Sequence, residues 1–316
     1  HAWYRPDLQG IVVVGDIDVK RTEANIKELF ADAKVPEGAP ERVYYPVSDY
    51  EQPVITFSKD DETPYVLLHL SQRIPDIPLP IKQTVEGMQQ SFIRYATTYM
   101  LNERFNQLVK QPNSPLGEID VHYEQFYFSK IEKTFEISAL ISPEKVNEAI
   151  QLILTERRRM YQHGFTQAEL ERAKAEFLAN LEQNYNNRNQ RKNDVYVQQY
   201  IKNFLDNQPI LPDEWGYKQW HLLVEQATVA QMNEWLTTHH PTNKSLWVAG
   251  TNDTQFPTKE AVLQQMVAID SMSLEPYAEE AIADALIAPQ DLPKKGSIVK
   301  KQSLKDGVTQ YILSNG

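Results

Sequence analysis

The 316-residue sequence contains no cysteine. That absence removes disulfide scaffolds, thiol nucleophiles, Cys-ligated zinc and iron–sulfur clusters together. It leaves the compartment open, because a Cys-free chain survives in either redox state. Long apolar runs are missing as well. The longest aliphatic run, Ile11-Val12-Val13-Val14, falls far short of the roughly 20 residues of a bilayer-spanning helix. No secretory-leader pattern opens the chain, although it starts at His1 rather than Met. Positive charge is scarce: 32 Lys and Arg face 43 Asp and Glu, a net charge of -11. Counterion release by basic side chains supplies most nucleic-acid affinity, so a nucleic-acid partner is not expected.

Motifs of the common catalytic types are also absent. There is no Walker A, no G-x-G-x-x-G after a strand, no G-x-S-x-G elbow, and neither H-E-x-x-H nor H-x-x-E-H. The 11 Gly and 19 Pro follow no period, which excludes collagen-like and low-complexity chains. What is present suits globular cores: 41% apolar residues, with 5 Trp, 16 Tyr and 11 Phe. The length suits two domains of about 150 residues each.

Periodicity divides the chain further. Residues 10–15 (GIVVVG) read as a buried strand, followed by a helix with Ala24, Ile26, Leu29, Phe30 and Ala33 on one face. Residues 34–53 carry clustered proline and read as an extended linker. A hairpin is expected from 54–57 and 65–70 across the charged turn 59–62. Helical composition covers 81–110, and a second hairpin spans about 118–141 with period two. Pro143 opens a helix that closes near Gly164. Thr166-Gln167-Ala168-Glu169 is a capping box, and the helix behind it is expected to run well into the polar stretch Asn186–Asn193. Tyr196, Tyr200, Ile201 and Phe204 resume an apolar face. Helices follow at 213–224, 228–238 and 258–270, with a strand at 246–249. From Pro276 the pattern fades into a linker, and 307–316 open another strand.

The two ends of the chain echo each other. With Pro6 set on Pro241, Val13 falls on Val248, Gly15 on Gly250 and Asp18 on Asp253, each pair 235 positions apart. Chance is one reading of so short a match. The other is a domain duplication: the tail of one unit (1–33), a whole unit (about 45–271) and the first strand of a third. The chain is then an internal piece of a longer protein.

The histidines supply no helical metal pair. His1, His69, His122, His163, His221, His239 and His240 include no two at the three- or four-residue spacing that puts ligands on one helix face. His239 and His240 read as a helix end favoured by the C-terminal dipole. His69 and His122 lie on the two hairpins and can meet, with satisfied sheet histidines the simpler reading. Arg157-Arg158-Arg159 reads as a solvated face or a domain contact rather than a phosphate site. Carboxylates are too numerous in an acidic chain to single out a pair.

Several stretches together resemble one family. Residues 3–8 (WYRPDL), 11–18 (IVVVGDID) and the helix to Phe30 are similar to the end of the first domain of M16 (insulinase-like) zinc peptidases. Residues 164–174 (GFTQAELERAK) resemble the start of the long helix of that family's second domain. The segment 227–235 and the strand to Gly250 resemble that domain's end, and 307–316 (GVTQYILSNG) the first strand of the next domain. The resemblance implies an α+β fold, an α/β sandwich with helices packed on an antiparallel sheet. It implies a division into 1–33 (end of a first domain), 34–53 (linker), 54–271 (a second, non-catalytic domain), 272–305 (a linker between halves) and 306–316 (start of a next domain).

In active members of the family an inverted H-x-x-E-H and a distant Glu hold zinc, and the Glu within the motif activates water. Those positions would precede His1, so no residue here inherits a catalytic, cofactor-binding or metal-ligand role. The resemblance thus implies zinc in the parent protein and none in this chain, which alone is expected to cleave nothing. The parent would be a zinc metalloendopeptidase with an unfolded peptide as substrate, and this region part of the chamber that encloses it. Its partners would be that peptide and the other M16 domains of the same chain, with no membrane span. Bacterial members that resemble this chain often act in the cell envelope, so the resemblance favours the periplasm or cell envelope for a compartment that the residues themselves leave unknown. Two alternatives are a zinc-less structural subunit of the same fold and a non-enzymatic peptide-binding or assembly module.

Overall fold

The computed structural model describes residues 3–126, 128–239, 243–279, 287, 292 and 295–315. His1, His240, Gly316 and parts of the 272–305 stretch lie outside them. The chain divides into two compact units, His1–Pro276 and Tyr277–Gly316.

The larger unit is built on a five-stranded sheet. Its strands are β1 (Val54–Lys59), β2 (Val66–Pro75), β3 (Leu116–Gln125), β4 (Glu132–Ile141) and β5 (Ser245–Gly250). They lie in the order β1-β5-β2-β4-β3. The expected second hairpin exists as β3 and β4, paired antiparallel with Val121 opposite Ile137. The expected first hairpin does not. β1 and β2 are both strands, but β5 lies between them, parallel to β1 and antiparallel to β2. The physical reason is burial. Leu246 and Val248 of β5 fit beside Leu70 and Leu68 of β2, and all four are at most 1% exposed. Residues 60–65 easily cross the two strand spacings, about 10 Å, that separate β1 from β2. The sheet is therefore mixed, with one parallel pair.

Helices cover one face of the sheet. The long α3 (Val85–Val109) follows the short α2 (Leu79–Lys82), broken at Thr84, whose Oγ1 accepts the Gly87 amide at 3.2 Å. Phe92, Ala96, Met100 and Leu101 of α3 are buried against the sheet's Leu68, Leu70, Ile137 and Val121. Each such large apolar side chain stabilises by roughly 1.5–3 kcal/mol. α4 (Val146–His163) adds Ile150 and Ile153, α8 (Val229–Thr238) adds Met232, and α9 (Lys259–Ser271) adds Val262 and Met266. Gly164 ends α4 at φ 69°, and a Cβ there would sit 2.2 Å from Asn233 Oδ1. That same oxygen accepts the Phe165 amide at 2.8 Å, so glycine lets α8 lock the turn.

The capping box stands as read. Thr166 Oγ1 accepts the Glu169 amide and Glu169 accepts the Thr166 amide, opening α5 (Gln167–Asn186). Glu169 has a second role that the sequence hid. Arg104 donates to both its oxygens, at 2.6 and 2.8 Å, and to the Gly164 carbonyl at 2.8 Å, with both side chains 1% exposed. α5 stops at Asn186, short of the expected length. The Asn-rich stretch offers side chains that compete for backbone groups, and no apolar face to compensate. A 3-10 turn at Arg188–Gln190 leads into α6 (Asn193–Asp206), then α7 (Asp213–Gln226).

Residues 34–53 hold no helix or strand. Their end is nevertheless fixed. Buried Arg73 of β2 donates to the Val47 and Ser48 carbonyls at 2.7 Å each and to Asp49 at 3.0 Å. Arg157 is also buried, 1% exposed, and donates to Gln72 at 2.6 Å. This corrects the solvated-face reading for that residue: α4 turns it under the sheet, where β2 supplies its acceptor.

The strand expected at 10–15 is absent. Residues 11–14 have no ladder, and Ile11 and Val13 are 52% and 48% exposed. A strand is a paired state, and among the described residues none runs beside this segment. α1 (Val19–Leu29) follows it, capped by Asp18 and burying no residue. In the smaller unit, β6 (Ile298–Ser303) pairs antiparallel with β7 (Thr309–Leu313). β7 is the strand expected at the chain's end, and β6 falls within the stretch read as linker.

Candidate functional site

The sheet face opposite the helices is polar because strand alternation makes it so. On β3, Ile119, Val121 and Tyr123 turn to the core, which sends Asp120, His122 and Glu124 to the other face. On β4, Phe135 and Ile137 turn inward and Glu136 outward. Register completes the group, since His122 lies directly opposite Glu136 and Ser71 opposite it on the other side.

Glu136 is the centre. His69 Nδ1 lies 2.5 Å from its Oε1, and Ser71 Oγ donates to its Oε2 at 2.8 Å. Burial pushes its carboxyl up, but the bonds from His69 and Ser71, with the fields of His69 and His122, outweigh that and hold it below the usual carboxylate range. On the β3 side, His122 Nδ1 is 2.7 Å from Asp120 and its Nε2 is 3.9 Å from Glu124. The ligand atoms of His122, Glu124 and Glu136 lie within 4.8 Å of one another. His69 also packs beside Trp247 of β5, its ring tilted and the centroids 5.1 Å apart, while Trp247 Nε1 donates to Ser58 of β1 at 3.0 Å. Each of the two sheet histidines is thus satisfied by a carboxylate of its own, His69 by Glu136 and His122 by Asp120, and both lie beside Glu136. The three carboxylates were not legible beforehand. The alternation D-x-H-x-E was the available signal on β3, but only register brings in Glu136.

The remaining described histidines are dispersed. His163 bonds the Leu274 carbonyl, His221 neighbours Glu225, and His239 caps α8 and stacks on Trp235. No helix presents two of them one turn apart, so these residues do not fit the family's catalytic zinc site. Elsewhere, a concavity of about 940 Å³ lies among α5, α6 and α7, lined by Tyr185, Arg191, Lys202, Tyr217 and Trp220 among others. Among the described residues no helix is long and apolar enough to cross a membrane.

Residues 1–177 match the family model described as the peptidase M16 inactive domain. Across 99% of its length the chain is 26% identical to the probable zinc protease PqqL of Escherichia coli, covering 33% of that protein. It is 20% identical to a PQQL-like zinc protease of Arabidopsis thaliana, covering 30% of it. The chain therefore spans about a third of the length of the curated relatives it matches. Among solved structures, the periplasmic protease PqqL from E. coli superposes with a TM-score of 0.71 at 19% identity, over 96% of this chain and 33% of that one. A ferredoxin protease, FusC, solved with Arabidopsis ferredoxin, gives 0.62 at 18% identity, over 96% of this chain and 34% of that one. These likenesses bear out the α+β sandwich. The family match covers more than half of the sequence, and the chain belongs to the peptidase M16 family as a member of its inactive-domain type.

Proposed function

We propose that this chain is the non-catalytic region of a longer zinc-dependent metalloendopeptidase and forms part of the wall of a chamber that encloses an unfolded peptide. The inactive-domain match carries the reading, because it separates family membership from possession of the catalytic parts. The zinc-protease names of relatives about three times as long support catalysis elsewhere in the parent. The sheet supports a wall: helices close one face and polar groups line the other.

In this reading 1–33 finish a preceding M16 domain, which suits the exposed Ile11, Val13, Leu29 and Phe30. Residues 34–53 link it to the domain at 54–271. The stretch 272–305 leads to a next domain beginning at 306–316. Partners are the peptide and the other M16 domains, with no nucleic acid. The periplasm or cell envelope is the expected compartment, supported by the periplasmic relative. Zinc serves the parent, and no catalytic step runs through this chain's residues.

The test is peptide cleavage by the parent and by this chain, each with zinc and with chelator. Chelator-sensitive cleavage by the parent alone is expected. Zinc-dependent cleavage by the 316-residue chain would overturn the reading. An inactive parent would move the assignment to a structural subunit of the same fold, or to a peptide-binding module if it captures unfolded peptides.

A further inference from the structure

We infer that β3 and β4 carry a binding site for a divalent transition-metal ion of the zinc class, with His122 Nε2, Glu124 and Glu136 as its ligands. The site runs against the sequence expectation of no metal in this chain, and it is independent of the catalytic zinc assigned to the parent.

Three observations converge. The first is placement by backbone. His122 and Glu124 are two apart on β3 and share a face, and Glu136 stands opposite His122 in the β3–β4 register. Paired strands hold these positions more rigidly than a loop would. Their ligand atoms lie within 4.8 Å of one another. Donors around tetrahedral zinc, at bonds of about 2.0–2.1 Å, sit roughly 3.4 Å apart. Side-chain rotation of the half-exposed His122 and Glu124 closes the difference.

The second is the orientation of the ligands. An ionised carboxylate only accepts, so His122 must donate its Nδ1–H to Asp120, at 2.7 Å. In the neutral ring that leaves the Nε2 lone pair facing Glu124, at 3.9 Å. A carboxylate behind the imidazole is the usual support of a metal-ligating histidine. Ser71 and His69 fix Glu136 in the same way, each taking one lone pair of one oxygen and leaving the other.

The third is charge. Asp120, Glu124 and Glu136 converge on one patch, and among the described residues no Lys or Arg pairs with any of them. The imidazoles are the cluster's only internal cations, and they are charged only when protonated. A dication neutralises the carboxylates at neutral pH. One imidazole with two carboxylates favours zinc and its neighbours over magnesium or calcium, which take oxygen ligands.

Calorimetric titration of the metal-free 316-residue chain with zinc chloride tests this. About one zinc per chain is expected, not displaced by millimolar magnesium or calcium. Glu124→Gln and Asp120→Asn alter exposed side chains and keep the fold. Asp120→Asn removes the negative charge behind His122 while its amide oxygen can still accept the Nδ1–H, and should weaken zinc binding about tenfold. Glu124→Gln and His122→Ala should weaken it at least as much, whereas His221→Ala, on a remote helix, should leave it unchanged. Cobalt in place of zinc should give visible absorption that His122→Ala abolishes. No binding at submillimolar zinc, displacement by calcium, or affinity unchanged in both Glu124→Gln and His122→Ala would overturn the site.

Discussion

Segments 11–18 and 246–253 share a sequence pattern and have opposite fates. Both run four apolar residues, a glycine, and an aspartate three further on. In the second, Leu246 and Val248 are 1% and 0% exposed and β5 is paired on both edges. In the first, their counterparts Ile11 and Val13 stand about half exposed without a ladder. The pattern proposes a strand; neighbours decide whether it forms. β-propensity measures how a side chain fits a pleated, half-buried surface, and residues 11–14 have no such surface among the described residues.

The largest expected effect comes from cutting the same size of side chain in each segment. Leu246→Ala should lower the unfolding free energy by about 2–5 kcal/mol, since the core around β5 cannot fully collapse. Ile11→Ala should change it by no more than about 0.5 kcal/mol. Urea unfolding of the two variants reads the contrast. Equal losses would break it and show that 11–14 is buried in solution.

The two glycines sharpen the contrast at a smaller scale. A Cβ on Gly250 would meet Thr254 Oγ1 at 2.6 Å and its Cβ at 3.1 Å, and Thr254 is 3% exposed. A β-branched, buried neighbour yields poorly, so Gly250→Ala should cost about 1–3 kcal/mol. At Gly15 the nearest atom is Asn193 Nδ2, 3.8 Å away, and alanine fits. Thermal unfolding of the pair should show a lowered midpoint for Gly250→Ala only.

These contrasts mark how far the sequence could be read. Local signals were legible: the Thr166 capping box, the alternation of β3 and β4, the proline at 143 and glycine at 164 bounding α4. Each depends on residues within a few positions. What stayed hidden depends on distant partners. β5 enters between β1 and β2 from about 180 residues away in chain order, and parallel pairing leaves no local mark. Glu169 reads as half of a cap, yet its bond to Arg104 spans 65 positions. Arg157 looks like one of three surface charges until Gln72, 85 positions off, is placed against it. The open-face cluster is of the same kind. His69 and His122 were legible as candidates, and Glu136 became one only through strand register.

The smallest expected effect separates the two aspartates. Asp18 accepts the Arg21 amide at 3.0 Å and caps α1. Its counterpart Asp253 caps nothing, because the chain runs on to Thr258, whose Oγ1 accepts the Ala261 amide at 3.1 Å and starts α9. The echo therefore holds in letters and fails in role. Asp18→Ala should cost α1 about 1 kcal/mol, and Thr258→Ala should do the same to α9. α1 buries no residue, so its loss should appear as local fraying. Amides in 19–29 should exchange about fivefold faster in Asp18→Ala, with the global midpoint unmoved. In Thr258→Ala the helix is anchored by Val262, Met266 and Ile269, so part of the loss should reach the global midpoint. Asp253→Ala should leave both helices unchanged. If Asp253→Ala loosened α9 as much as Thr258→Ala, the two aspartates would share a role after all.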